Sequence, residues 1–274
     1  MTCWPRGRAR YWPQSMAASA ARVLVTRPRG QEAALGDALR AAGHEVFHQP
    51  LLELEPLSEL PAEARRCVLD LDLYQHVIFI SGNAVRFGME WIENYWPQLP
   101  VGITWYAVGV KTAAALAERG IRALTPGADM SSEGLLALPD LQSVAGQRVL
   151  IVKGEGGRET LQATLQSRGA RVDTLACYRR CCPRLAEGEL ARRLQGWQID
   201  TIVISSGEGL ANLLALLSTE ETTNFTGVRL LVPSARVEGM ARQAGFSRVV
   251  IAANASDDAM LAALDESMDV AGEQ

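Results

Sequence analysis

Tyr178 is the residue whose type and place in the chain best suit the donation of a proton to a bound ligand. It ends an extended run beside Arg179 and Arg180, and a Cys182-Pro183 break follows. A phenol has a pKa of about 10, so it is neutral at pH 7 and still has a proton to give. The alternative is an amphipathic tyrosine that packs at a domain junction. The chain has only 3 histidines and no recognisable Ser/His/Asp set, so acid–base catalysis by histidine is disfavoured.

Six loops at predicted strand ends carry residues suited to binding an anion. Small residues let backbone N–H groups approach an anion at a helix N-terminus, and Arg or Lys add charge-assisted hydrogen bonds. The alternative is that strand-to-helix turns need Gly, Ser and Asn for caps and for positive φ angles. The predicted binding residues are Thr26, Arg27, Ser81, Gly82, Asn83, Gly109, Lys111, Thr112, Lys153, Gly154, Gly156, Gly157, Arg158, Ser205, Ser206, Gly207, Ser234 and Arg236.

Three common kinds of site are disfavoured by spacing. The glycines at residues 154–157 match neither the nucleoside-triphosphate loop nor the dinucleotide fingerprint. His44 and His48 lie in an extended segment without the glutamate of the metalloprotease arrangement, so no metal site is predicted there. The cysteines at residues 177–182 form no CxxC pair and have no nearby histidine, so core and linker thiols are the preferred interpretation.

Composition narrows the class of protein further. The chain has 274 residues, a net charge of −4 and no basic tail, which argues against nonspecific nucleic-acid binding. No apolar run approaches the roughly 18–20 residues that span a bilayer, so no membrane partner is predicted. The odd count of 5 cysteines, without a secretory signal, predicts reduced thiols in the cytoplasm. Residues 1–20 are consistent with a transit peptide, but we prefer a disordered extension upstream of a start at Met16.

The elements that must position these residues repeat along the chain. The matched segments, first copy before second, are Arg22–Val25 with Arg148–Ile151, Leu35–Val46 with Leu161–Val172, Ile78–Ser81 with Ile202–Ser205, and Ser131–Leu136 with Ser256–Leu261. A repeat this long predicts a duplicated domain, hence two similar lobes with a ligand cleft between them. Strands alternate with helices, which predicts parallel sheets with ligands beyond the carboxyl ends of the strands. Leu54-Glu55-Pro56 and Cys182-Pro183 interrupt equivalent places, so the chain is expected to cross between lobes there.

At these residues the chain resembles the uroporphyrinogen-III synthase family. The matching stretches, in order, are Val25-Thr26-Arg27-Pro28, Phe79-Ile80-Ser81 with Ala84-Val85, Ala107-Val108-Gly109 with Lys111-Thr112, Lys153–Arg158, Cys177–Arg180, Ile204–Gly207 and Pro233-Ser234. The likeness covers about residues 22–266, and each stretch is short, so the specificity lies in their order and spacing. Two positions depart from the family's pattern: Lys153 stands where Arg is frequent, and Ile80 where Thr is common.

The resemblance implies a cytoplasmic, monomeric enzyme of tetrapyrrole synthesis that needs no cofactor and no metal. Its substrate would be hydroxymethylbilane, a linear tetrapyrrole with eight carboxylates handed over by hydroxymethylbilane synthase, and Tyr178 would assist departure of hydroxide. It also implies two α/β lobes joined by a two-stranded linker. Residues 22–55 plus 183–266 would form one discontinuous lobe and residues 56–182 the other. Residues 1–21 would be a disordered extension and residues 267–274 a flexible tail.

Two other functions compete with this one. A two-lobed protein that binds small anions without catalysis would share the cleft and need no proton donor. A nucleotide-sugar transferase would also have two α/β lobes, but it needs a diphosphate site, and only ordinary glycine turns are present.

Overall fold

The chain forms two compact α/β units. The computed structural model describes residues 20–272 with gaps at residues 128 and 158, and describes side chains as far as residue 268. Unit B is residues 54–181, and unit A joins the residues before 54 to those from 182 onward. These breaks lie beside the crossings expected at residues 55/56 and 182/183. The arrangement of two lobes joined by a two-stranded linker stays a prediction from the sequence.

Unit A contains a five-stranded sheet in the order β11-β10-β9-β1-β2, in which every pair is parallel. Its strands are β1 (Arg22–Val25), β2 (Glu45–His48), β9 (Thr201–Val203), β10 (Arg229–Val232) and β11 (Val249–Ile251). Its helices are α1 (Ala33–Ala41), α8 (Glu189–Gly196), α9 (Gly207–Leu216), α10 (Thr219–Phe225), α11 (Ala235–Gln243) and α12 (Asp257–Gly272).

Unit B contains a six-stranded sheet in the order β3-β8-β7-β4-β5-β6, parallel from β8 to β6. Its strands are β3 (Glu53–Pro56), β4 (His76–Phe79), β5 (Thr104–Ala107), β6 (Ala123–Leu124), β7 (Arg148–Gly154) and β8 (Arg171–Cys181). Its helices are α2 (Ala62–Leu69), α3 (Gly82–Tyr95), α4 (Val110–Ala117), α5 (Ser132–Leu136), α6 (Pro139–Gln142) and α7 (Thr160–Ser167), with a 3-10 turn at Leu71–Leu73.

The two sheets have the same strand order once the sequence repeat is applied. The repeat equates β1 and β2 with β7 and β8, and β9 to β11 with β4 to β6. The order β2-β1-β9-β10-β11 in unit A then corresponds, strand by strand, to the order β8-β7-β4-β5-β6 in unit B. In unit A the two-strand part (β1 and β2) comes before the three-strand part (β9 to β11) along the chain, whereas in unit B the three-strand part (β4 to β6) comes first. Unit A is therefore assembled from both ends of the described chain.

The central strands are apolar on both faces because helices cover both faces. In β1, Leu24 belongs to one buried cluster, while Val23 and Val25 belong to another. In β4, Val77 and Phe79 pack on one side and Ile78 on the other. This explains the short continuous apolar runs without alternation in the sequence, which is typical of parallel sheets.

The edges of the predicted ranges differ from the structure in two places. Ala21, assigned to the disordered extension, is buried in the core of unit A, where it packs with Val23; residues 1–19 lie outside the described residues. The flexible tail expected from residue 267 is helical as far as Gly272, because Met268 packs on the same core.

Candidate active site

Tyr178 lies on β8 at a break in the pairing of β7 with β8. Lys153 pairs with Ala176 but Gly154 pairs with Tyr178, so Cys177 is an extra residue in β8. Successive residues of a regular strand face opposite sides of the sheet, and a bulge changes that alternation. Cys177 and Tyr178 accordingly both belong to the same core cluster. The bulge therefore sets the direction of the tyrosine.

The tyrosine ring is held by apolar contacts while its hydroxyl meets a polar neighbour. The residue is 5% exposed, and its ring centroid lies 5.3 Å from that of Phe87 at a tilt of 33°. The hydroxyl lies 3.4 Å from the Oγ of Ser81, at a distance where either oxygen can donate. This is the environment of a fixed phenol with a freely oriented proton.

Gly154 is a glycine because of the tyrosine beside it. A Cβ on this residue would lie 2.7 Å from Tyr178 Cζ and 2.8 Å from Cε2. Gly156 and Gly157 have a different reason, since their φ angles are +69° and +88°, a region that favours glycine. The glycines at residues 154–157 thus serve a close approach and a turn, in agreement with the absence of a nucleotide-binding spacing.

Ser81 joins the tyrosine to the start of a helix. It is the N-cap of α3, and its Oγ accepts the N–H of Ala84 at 3.1 Å. Gly82 and Asn83 form the first turn of α3, and a Cβ on Gly82 would meet nothing within 4 Å. The free N–H groups and the helix dipole favour negative charge at this point.

A cavity of about 390 Å³ opens beside Tyr178 within unit B. Its lining residues are Ile80, Val108, Ser132, Ile151, Lys153, Gly154, Glu155, Gly156, Gly157, Leu161, Gln162, Thr174, Tyr178 and Arg180. The cavity lies beside β4 and β7, the neighbours at which the strand order of this sheet reverses direction. Ligands of open parallel sheets bind at such switch points.

The structure brings together part of the predicted set around this cavity. Lys153, Gly154, Gly156, Gly157 and Tyr178 line it as predicted. Arg158 lies outside the described residues.

The sequence analysis missed five polar residues of the lining: Ser132, Glu155, Gln162, Thr174 and Arg180. Arg180 had a usable signal, since it stands two residues after Tyr178 and residues two apart along a strand share a face. Thr174 stands before the bulge at Cys177, so the alternation does not link it to Tyr178. Ser132 and Gln162 come from α5 and α7, and no local pattern marks them.

Two predicted loops of unit B, residues 81–83 and residues 109–112, are not part of the lining. Gly109 is the N-cap residue of α4, and a Cβ there would come 3.3 Å from Met130 Sδ. Lys111 is exposed and Thr112 is buried. Only the preceding Val108 reaches the cavity.

In unit A, the residues after β1 have structural partners of their own. The Thr26 hydroxyl donates to the carbonyl of Val203 at 2.6 Å. Arg27 forms an ion pair with Asp257 at the start of α12 and donates to the carbonyl of Ala255 at 2.8 Å. A guanidinium with these partners fastens α12 to the end of β1.

The other predicted residues of unit A lie at two helix starts. Ser205 receives a hydrogen bond from Arg27 Nε at 3.4 Å, and Ser206 caps α9 by accepting the N–H of Gly209 at 3.1 Å. A Cβ on Gly207 would lie 3.0 Å from the guanidinium of Arg236. Ser234 is the N-cap residue of α11 without a side-chain hydrogen bond to that helix.

The neighbouring cysteine is not an activated nucleophile. Burial raises the pKa of the Cys177 thiol to about 12, and the thiol donates to the carbonyl of Lys153 at 3.3 Å. Among the described residues no group of three His, Cys, Asp or Glu could hold a metal ion, and Cys67, Cys177 and Cys182 are free thiols. The role of Tyr178 as a proton donor stays a prediction.

Comparison with known proteins decides the family. The profile of the family described as "Uroporphyrinogen-III synthase HemD" matches residues 33–262. The chain belongs to this family. A uroporphyrinogen-III synthase of Escherichia coli (strain K12) is 37% identical over 249 residues, covering 88% of this chain and 99% of that protein. The one from Salmonella typhimurium is 37% identical over 244 residues, with 88% and 99% covered.

Solved structures of the uroporphyrinogen-III synthase family share the fold. The enzyme of Helicobacter pylori aligns with a TM-score of 0.58 at 16% identity, covering 90% of this chain and 99% of that one. A mutant enzyme of Thermus thermophilus aligns with a TM-score of 0.55 at 20% identity, covering 91% and 99%. No helix in the described part of the chain is long and apolar enough to cross a membrane.

Proposed function

We propose that the chain converts hydroxymethylbilane to uroporphyrinogen III, with inversion of ring D and loss of water. Family membership across residues 33–262 carries this proposal. The cavity beside Tyr178 fits it, since the phenol hydroxyl can donate a proton and the lining has no nucleotide-binding loop. The two competing functions, an anion-binding protein and a nucleotide-sugar transferase, have no comparable support.

The polar lining suits one carboxylated ring of the substrate. Lys153 and Arg180 provide positive charge, and the loop at Gly156-Gly157 has backbone N–H groups near a helix start. Ile80 and Val108 supply apolar surface for a pyrrole ring. A substrate with eight carboxylates needs many such donors. We extend the proposal to Thr26, Arg27, Ser205, Ser206, Gly207, Ser234 and Arg236 of unit A, and to Ser81, Gly82, Asn83, Gly109, Lys111, Thr112 and Arg158 of unit B.

In the proposed reaction Tyr178 protonates the hydroxyl group that leaves ring A. The products of this step are water, a phenolate and an azafulvene cation. The Ser81 hydroxyl, 3.4 Å away, can donate to the phenolate. A charge-assisted hydrogen bond of this kind is stronger than a neutral one.

Ring D then attacks the azafulvene through its substituted carbon and forms a spiro intermediate. Fragmentation and reclosure invert the ring, and the proton lost when the ring regains aromaticity returns to the phenolate. The substrate is electron-rich and closes without inversion in the absence of the enzyme. The main task of the protein is therefore to hold the reacting carbons in the inverted orientation. We propose that the enzyme works in the cytoplasm as a monomer, with substrate from hydroxymethylbilane synthase.

Separation of the product isomers tests this function. The purified chain should convert freshly made hydroxymethylbilane to the type III isomer with no metal or nucleotide added. Boiled protein serves as the control and should leave only the type I isomer. Type I product at the spontaneous rate with the native protein would refute the proposal.

A further inference from the structure

A second cavity lies at the opposite end of the strands of unit A. Asp200, Arg229 and Arg248 stand side by side at the amino ends of β9, β10 and β11. With Ala21 and Met268 they line a cavity of about 190 Å³. The residues predicted to bind substrate in this unit follow the carboxyl ends of the strands, so this cavity is a separate feature.

The cavity holds more positive than negative charge. Arg229 is only 7% exposed, and its Nη1 donates to Met268 Sδ at 2.9 Å. Among the side chains described, no carboxylate forms an ion pair with Arg229 or with Arg248. Burial lowers the pKa of Arg229, the positive charge of Arg248 lowers it further, and Asp200 opposes both.

Asp200 is the one carboxylate among the described residues that line the cavity, and it already accepts hydrogen bonds. One oxygen of Asp200 accepts the backbone N–H of Arg22 at 2.9 Å, and the other accepts the Thr201 hydroxyl at 2.7 Å. Among the described side chains of the cavity, the guanidinium groups of Arg229 and Arg248 thus have a single carboxylate beside them, and its oxygens already accept hydrogen bonds. A buried charge without a close partner is costly, so the cavity is set up to receive an anion.

We propose that Arg229 and Arg248 form a binding site for a small phosphate-type oxyanion, distinct from the substrate site. Guanidinium groups present planar pairs of N–H donors that match the oxygens of a phosphate. The cavity admits an ion of this size, and a ligand that binds only the folded state stabilises it. The site accordingly couples the stability of unit A to the concentration of a phosphate-type anion.

Thermal unfolding and calorimetric titration of the full chain with inorganic phosphate test the site. Sodium chloride keeps the ionic strength constant, so that general screening is the same in every sample. The wild type should gain melting temperature in a saturable way and bind one phosphate per chain. Arg248→Gln and Arg229→Met should each weaken phosphate binding by about tenfold or more, the value of a hydrogen bond to a charged group. Arg248 is exposed, so its variant keeps the test valid where Arg229→Met fails to fold.

Two further variants and a second ligand complete the design. Arg242→Gln removes an exposed arginine that pairs with Glu238 at 2.8 Å, and it should bind phosphate like the wild type. Glycerol phosphate, compared with inorganic phosphate, tells whether the site takes a free ion or the phosphate of a larger molecule. Absence of saturable binding, or binding unchanged in Arg248→Gln, overturns the proposal. Binding that is lost in Lys153→Ala instead places the ion at the Tyr178 cavity and also overturns it.

Discussion

At the scale of single residues, the ring of Tyr178 packs in an apolar environment, and its hydroxyl lies close to the hydroxyl of Ser81. Phe87 and Gly154 contact the ring, and Ser81 contacts the hydroxyl. Phenylalanine at position 178 would keep the contacts of the ring with Phe87 and Gly154 and would remove only the contact of the hydroxyl with Ser81. The role of the proton can therefore be separated from the role of the ring.

Tyr178→Phe should lower turnover by roughly 100-fold with substrate affinity nearly unchanged, because general acid catalysis typically contributes 10²–10⁴-fold. The rate of type III isomer formation gives turnover, and thermal unfolding checks that the fold is kept. Retention of more than about half of the activity would exclude the general-acid role.

Tyr74→Phe is the matched control within the same unit. The Tyr74 hydroxyl donates to Asp173 at 2.8 Å and receives a bond from Arg148 at 3.2 Å, and Tyr74 does not line the Tyr178 cavity. Its loss should cost about 1–3 kcal/mol of unfolding free energy, because a buried partner is left unsatisfied, and leave turnover unchanged. A similar loss of turnover in both variants would point to structural damage instead of a lost proton.

The buried thiol of Cys177 predicts a loss of stability at alkaline pH. Its pKa is raised to about 12 by burial, so the folded thiol stays protonated while the unfolded thiol ionises from about pH 9. Unfolding then releases a proton, and the contribution of the thiol is complete below pH 9 and declines up to about pH 12. The slope from this group is about 1.4 kcal/mol per pH unit.

Denaturant unfolding between pH 8 and pH 10 measures this effect. Cys177→Ala should show a shallower fall in unfolding free energy than the wild type over that range, whatever its stability at neutral pH. Tyr106, whose pKa burial raises to about 12, adds to the slope of both proteins equally. Equal slopes would mean that Cys177 ionises normally in the folded protein.

At the scale of elements, Gly88 of helix α3 is buried against its sheet, whereas Gly239 of helix α11 is exposed to solvent. A Cβ on Gly88 of α3 would overlap Val152 Cγ1 and touch Cys177 Sγ at 3.6 Å. A Cβ on Gly239 of α11 would meet nothing within 4 Å. The first glycine allows close packing, and the second only weakens its helix.

The two alanine substitutions should have opposite signs. Gly239→Ala should raise the unfolding free energy by about 0.5–1 kcal/mol through helix propensity. Gly88→Ala has the same propensity gain but overfills the core, so a net loss of about 1–3 kcal/mol is expected. Denaturant unfolding of both variants against the wild type measures the pair. A stabilising Gly88→Ala would show that α3 can move away from its sheet at no cost.

At the scale of the whole molecule, unit B contains a continuous stretch of chain with its own sheet and two buried clusters. A fragment of residues 53–182 should therefore unfold cooperatively by itself, as measured by circular dichroism during heating. It should lack cyclisation activity, because the proposed substrate contacts of unit A are missing. A fragment of residues 22–150 is the control: it separates β1 from β9 and β7 from β8, and it should not unfold cooperatively. Cooperative unfolding of that fragment alone would refute the division into units A and B.

The strands and helices, the repeat and the resemblance to the family could be predicted from the sequence. Short apolar runs, helical spacing and caps such as Ser81 are local features, so Glu45–His48 and the start of α3 could be placed from them. Tertiary structure alone decided what depends on distant residues. The bulge at Cys177 arises from pairing with Lys153-Gly154 and turns Tyr178, while Ser132 and Gln162 reach the cavity from separate helices. Arg27 has the residue type of an anion ligand, yet its partner Asp257 stands far along the chain, and no spacing rule joins two positions that only the folded sheet brings together.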